Sequence, residues 1–131
     1  MIDGEIFTIL GDTMDCGQRL NGMADQFRCG RDVSQLIGLL DSSHADLVSI
    51  GAWILGELHF ELYNSDRCLQ RLRKLVDHTD PSVRFHALGA LFSALTPEDA
   101  DTQALLQKLR NDPNEGVRRS AEAAAARLSL A

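Results

Sequence analysis

Apolar positions recur three and four residues apart along most of the chain and nowhere alternate over a sustained run, a pattern that predicts helices and no strands. The clearest stretches are LIGLLDSSHADLVSIGAWILGEL from Leu36, RLRKLVDHTDPSVRFHALGALFSAL from Arg71 and LLQKLRNDPNEGVRRSAEAAAARL from Leu105. Laid over one another they keep register. Ile37 falls over Leu72 and Leu106, Leu40 over Leu75 and Leu109, Val48 over Val83 and Val117, and Ala52 over Ala87 and Ala121. The step between stretches is 35 residues and then 34. Each holds a short amphipathic helix, a turn rich in Asp, Pro, Asn and Ser, and a second helix. Neither helix of such a pair can bury its apolar stripe alone, so the pairs must stack.

Turn chemistry sets the expected boundaries. Pro81 belongs early in its helix, where a missing N–H costs nothing, with Asp80 or Asp112 able to cap nearby. The second unit is expected to start at Asp66, after Tyr63-Asn-Ser. The third is expected to start at Thr96-Pro-Glu-Asp, with Pro97 in the first helical turn. Ala87, Ala90 and Ala94, then Ala121, Ala124 and Ala125, allow close helix approach. Ahead of the repeats, Met14, Leu20, Met23, Ala24 and Phe27 predict one helix over residues 13–28, ended by Gly30, with Asp32 as the next N-cap.

The segments DPSVRFHALGAL and DPNEGVRRSAEAAAARL resemble the HEAT repeat, in particular its short phycobilisome-lyase-like variety, in which an acidic–proline turn leads into Val-Arg and a series of alanines. The resemblance spans about residues 32–130. The first unit departs from it, with Ser49 where Arg84 and Arg118 stand and no proline before Val48. The resemblance implies an all-α fold, a right-handed α-solenoid of about three helix pairs behind an N-terminal capping helix. It would form one domain over 1–131, with the cap at 1–31 and repeats at 32–65, 66–95 and 96–131. More faintly, FRCGRDVSQLIGLLDSSHADLVSIGAWILGEL is similar to small HEAT-like immunity proteins of bacterial toxin systems.

Charge sharpens the picture. Residues 1–66 carry eleven acids against three bases, a net of −8, while residues 67–131 carry eight acids against ten bases, a net of +2. A polarised surface of this kind steers a basic partner, although an acidic surface also simply keeps a protein dispersed. A pI near 5.0 argues against duplex DNA, whose affinity rests on Lys and Arg neutralising phosphates. The cluster Arg67, Arg71, Arg73 and Lys74 reads as a solvated helix face.

Catalytic and metal chemistry find no pattern here. His44, His59, His78 and His86 have no metal-ligand spacing, and no His-Glu dipeptide, phosphate loop or nucleophile motif occurs. Cys16, Cys29 and Cys68 are odd in number with no CxxC pair, which suits free thiols in a reducing compartment. No basic leader precedes an apolar core, and no run approaches the ~20 apolar residues of a membrane span. The expectation is a cytoplasmic, non-enzymatic protein without cofactor, nucleic acid or membrane as partner.

A candidate binding face comes from projecting the second helices at 100° per residue with Val48, Val83 and Val117 at zero. The opposite side carries Asp46, Ile50, Trp53, Glu57 and Glu61 in the first unit. It carries Phe85, Leu88 and Phe92 in the second, and Arg119, Glu122 and Ala126 in the third. Phe85, Leu88 and Phe92 could pack against their own unit, as a helix apolar all round ordinarily does. Trp53 among carboxylates is either an edge-of-core residue or an interface anchor facing a basic protein. On the second reading Asp46, Ile50, Trp53, Glu57, Glu61, Phe85 and Phe92 would bind the partner, and Asp41 with the other acids would plug a basic cleft. The implied function is an immunity protein neutralising a basic toxin domain, plausibly a nuclease. The alternatives are a scaffold or bilin-lyase-like repeat and, more remotely, a HEAT-like DNA-acting enzyme. Arg84 and Arg118 are expected to pair with turn acids such as Asp80 or Asp112 between units.

Overall fold

In the computed structural model, which describes residues 1–130, eight α-helices follow one another: α1 (Ile2–Leu10), α2 (Cys16–Arg28), α3 (Ser34–Leu39), α4 (Ala45–Gly56), α5 (Asp66–Leu75), α6 (Pro81–Leu91), α7 (Ala100–Leu109) and α8 (Glu115–Arg127). Single 3-10 turns at Phe60–Leu62 and Phe92–Ala94 close the second helices of the first two units. No strand occurs among the described residues. The helices pair α1 on α2, α3 on α4, α5 on α6 and α7 on α8, and the pairs are joined through α4, α6 and α8. The packing of α4 on α6 is the most extensive in the molecule, so α6 is the central rib.

The repeat register sets the core. Val48, Val83, Val117, Ala52, Ala87 and Ala121 are all buried, which puts the smallest aligned side chains where neighbouring second helices touch. Gly51 marks a close crossing of another kind, where an added Cβ would stand 3.0 Å from the Leu39 Cβ and 3.3 Å from the Leu36 carbonyl oxygen. Leu39 and Leu36 are backbone-fixed at those atoms, so any larger residue would have to push α4 and α3 apart by a few tenths of an ångström.

Helix starts follow local chemistry. The side chains of Ser65, Asp80, Asp99 and Asn114 accept hydrogen bonds from the backbone N–H groups of Cys68, Ser82, Asp101 and Val117, and Pro81 occupies the first turn of α6. Gly30, at φ +112, takes the left-handed conformation that ends α2. Tyr63 donates its buried hydroxyl to the Ala90 carbonyl at 2.9 Å, fixing the turn after α4 against α6. Burial pushes the phenol up to about 12, so it stays a donor at neutral pH.

Three expectations change. The residues before the repeats form two helices rather than one: Ile2, Ile6 and Ile9 place an apolar stripe on α1 that buries against the core. Unit three starts at Ala100, not Thr96, because Asp99 supplies the cap and leaves Pro97 and Glu98 in the preceding turn. Asp32 accepts from Ser34 N–H at 3.0 Å, but Val33 occupies the N-cap of α3.

Candidate functional site

Second helices side by side leave clefts between their exposed faces. A first cleft of about 310 Å³ is lined by Gly17, Leu20 and Asn21 of α2, Ser49, Ile50 and Trp53 of α4, and His86 of α6. A second, of about 300 Å³, takes in Trp53, Gly56 and Glu57, then Phe85, His86 and Gly89, and Ser120 of α8. A third, of about 390 Å³, runs past Gly56, Gly89, Phe92 and Ser93 to Ser120, Ala123 and Arg127. The first two share Trp53 and His86, and the last two share Gly56, Gly89 and Ser120. Together they form one groove crossing α4, α6 and α8. Interaxial distances near 8–10 Å make such a groove roughly 20 Å long, enough for a segment of a partner chain.

The floor is made of small residues and the walls of aromatic ones. Gly89 is exposed in the interior of α6, and an added Cβ there would meet no atom within 4 Å. Gly89→Ala is therefore expected to raise stability by about 0.4–1 kcal/mol in a urea melt, through the restricted unfolded chain. A loss of stability would show that the floor is closed. Phe85 is 41% exposed, and its ring meets that of His86 edge-on at 5.1 Å between centroids. Burial holds the His86 imidazole below its ordinary pKa, so it is neutral at pH 7 and the wall it forms is uncharged. The Arg127 guanidinium stacks over the Phe92 ring at 4.7 Å, covering one face of it.

Ile50, Trp53, Glu57 and Phe85 come together at the α4–α6 half of the groove, and Phe92 lies at its α8 end. Asp46 is exposed in the first turn of α4 and lines none of these clefts. Glu61 does not share the stripe at all, because α4 ends at Gly56 and Glu61 falls in the 3-10 turn Phe60–Leu62. Glu57 is paired with Arg28 at 3.3 Å, and Asp41 with Arg71 at 2.8 Å. The ring of carboxylates around Trp53 thus reduces to one, already balanced by a guanidinium. Leu88, in the same helical phase as Trp53, is 1% exposed and belongs to the core, since α6 is flanked by helices on both sides where α4 is not as fully covered.

His86, Gly89, Ser120, Arg127 and the α2 residues Gly17 and Leu20 were missed by the projection. It holds one azimuth for all three helices, while the groove face shifts from Ile50 and Trp53 in α4 to Ser120 and Ala123 in α8. An exposed glycine inside RFHALGAL is the one sequence sign of an open floor.

Between units, Arg84 spans α6 and the turn before α8. Its Nε and Nη2 donate to the two Asp112 carboxylate oxygens at 2.8 and 2.9 Å, and its Nη1 to the carbonyls of His78 and Thr79. This arginine holds the Asp112 carboxyl below the usual carboxylate range. Asp80 is occupied in capping α6, which leaves Asp112 as the partner. In the first unit the same place is taken by Ser49, hydrogen-bonded to Ser82 at 2.7 Å.

A family model for HEAT repeats matches residues 33–126. The chain belongs to the HEAT repeat family. The match covers α3 to α7 and all of α8 but Arg127, and stops short of α1 and α2. No curated protein matches the sequence. HEAT repeats serve protein–protein interaction, and stacked pairs of this kind present extended concave surfaces for it. Among the described residues no cluster of three or more His, Cys, Asp or Glu could hold a metal ion, and no helix is long and apolar enough to cross a membrane.

Proposed function

We propose that this HEAT protein is a binding protein that seats a basic partner across the α4–α6–α8 groove. Trp53 and Phe85 are the anchors and Ile50 and Phe92 extend the apolar contact, with Glu57, paired to Arg28, at its edge. Asp46 and Glu61 lie outside the clefts and act only through the longer-range field. The observation that carries this reading is Phe85. Among the described residues the exposed large apolar side chains are Met1, Phe7, Met14, Leu62 and Phe85, and Phe85 alone lies on a repeat helix. It stands beside the chain's single tryptophan, over a glycine floor. Aromatic residues clustered in a cleft are the usual centres of binding energy at protein interfaces.

Charge complementarity selects the partner. Residues 1–66 carry a net of −8, and Asp46 and Glu61 make no ion pair among the described residues. Such a surface raises the encounter rate with a basic protein and loses that advantage in salt. On this basis the finer reading is an immunity protein that covers the basic cleft of a toxin domain.

The test is capture of binding partners by tagged protein, at low and high salt, with wild type, Trp53→Ala and Phe85→Ser compared. One basic protein held by wild type and released by salt is expected. Trp53→Ala should weaken its binding by about 2 kcal/mol or more, and Phe85→Ser, at an exposed position, should do so without changing stability. Binding by both variants as tight as wild type would show that the partner does not use the groove, and an acidic or salt-insensitive partner would contradict the toxin-domain reading.

A further inference from the structure

Phe85 and Phe92 both face the groove, seven residues and so about two helical turns apart, and the chain covers only one of them. Phe92 lies under the Arg127 guanidinium at 4.7 Å, so the third cleft contains a cation–aromatic contact of the protein's own. Seven residues back along α8 from Arg127 stands Ser120, which borders the second cleft together with Phe85. Where the pattern of the third cleft would place an arginine, the second has a serine. No cation of the chain lies over Phe85 or Trp53 among the described residues.

The second cleft combines aromatic walls with a single charge. Trp53 and Phe85 border it, the exposed glycines Gly56 and Gly89 open it, and two alanines complete it. Glu57 is its one charged lining residue, since Ser120 carries a hydroxyl and burial keeps His86 neutral at pH 7. One oxygen of the Glu57 carboxylate meets Arg28 Nη2 at 3.3 Å, but that guanidinium lies closer to Asp25, at 2.5 Å. The other Glu57 oxygen accepts no hydrogen bond from a described residue. A wholly apolar side chain entering the cleft would strip water from this carboxylate and give no donor in return. A side chain with an apolar stem and a cationic end meets both needs. Arginine meets them better than lysine, because its planar guanidinium stacks on a ring, offers a carboxylate two parallel donors and is the more weakly hydrated ion.

We propose that the second cleft is an arginine pocket: the basic partner inserts one arginine against Trp53 and Phe85, as Arg127 lies on Phe92, and its guanidinium bonds Glu57. Arg28 then passes to Asp25, its nearer acid, and no charge is left unpaired. This inference rests on the reading of the groove as the partner's seat and names the group that enters it.

The experiment titrates the whole protein with the peptide acetyl-Gly-Arg-Gly-amide and with its lysine, citrulline and leucine counterparts. Binding is followed by NMR at the backbone N–H signals of Gly56, Gly89 and Ser120 and at the Trp53 indole N–H. The arginine peptide is expected to shift these signals saturably. Citrulline, of the same shape without the charge, should bind about fivefold more weakly, with lysine between the two. Glu57→Gln, at an exposed position, should weaken the arginine peptide by a similar factor and leave the leucine peptide unchanged. Lysine, citrulline or leucine binding as tightly as arginine, arginine binding untouched by Glu57→Gln, or no saturable shift at these signals would each overturn the arginine pocket. Capture of the partner and its loss with Trp53→Ala are read without these peptides, so the groove can stand where the arginine pocket fails.

Discussion

Arg84→Ala is expected to lower the free energy of unfolding by about 3–5 kcal/mol, because it strands a buried carboxylate. The Asp112 side chain is 7% exposed and that of Arg84 12%. Both oxygens of Asp112 are satisfied by Arg84, with one further bond from Asn114 N–H at 2.9 Å. Without the guanidinium that carboxylate must protonate, draw in water or break open the α7–α8 turn. Arg84→Met combined with Asp112→Leu removes both charges and should cost far less than the single change, since a buried pair is expensive to break and cheap to replace. Acid unfolding gives a second reading of the same pair. The folded carboxyl titrates below its unfolded value, so its stabilisation is complete above about pH 3.8 and is lost as pH falls through the lowered folded value. Arg84→Ala should flatten that limb. Urea melts of Arg84→Ala and the double variant, at pH 7 and below 4, check both statements. A single variant within 1 kcal/mol of wild type would mean that the pair contributes no more than a surface salt bridge, typically about 0–1 kcal/mol.

Phe27→Ala is expected to cost a similar amount, about 3–5 kcal/mol, and to do so in a single cooperative transition. Phe27 is 1% exposed and lies outside the segment matched to HEAT repeats, in α2. It shares one apolar core with Ile6 of α1 and Leu36 of α3. Arg31 sits 4.9 Å above the Phe27 ring and bonds Gln26, Gln35 and Glu5, tying α1, α2 and α3 together. The α1–α2 pair is thus a fourth layer of the stack, which buries what would otherwise be the bare outer face of α3 and α4. Two resolved transitions, with the later one unchanged by Phe27→Ala, would show the pair to be a separate body.

The repeat was legible because a constant step carries its own evidence. Val48, Val83 and Val117 were aligned by spacing alone, and all three are buried. Gly30 was legible because a left-handed residue at a helix end has few other solutions. The stripe Ile2, Ile6 and Ile9 was also present, but Gly4 within it and β-branched neighbours give α1 little propensity of its own, and it is packing that makes it a helix. The groove was only half legible. A projection places Trp53 and Leu88 in one phase, yet the second is core and the first lines a cleft, since burial depends on which helices flank each rib. Glu61 was assigned to α4 by continuing a period past Gly56, where the chain turns instead. Asp112 was one of two acids open to Arg84, and the choice between them needed the cap that occupies Asp80.

The groove carries its own reporter, because Trp53 is the only tryptophan and is half-buried there. Fluorescence of Trp53 should be followed while the captured basic partner, with its own tryptophans replaced or unexcited, is added to saturation. A groove that seats the partner takes water off the indole, so the emission should move to shorter wavelength along the binding curve, and Phe85→Ser should shift that curve to higher partner concentration. Saturable binding that leaves the Trp53 emission where it was, with Phe85→Ser binding as tightly as wild type, would place the partner on another face.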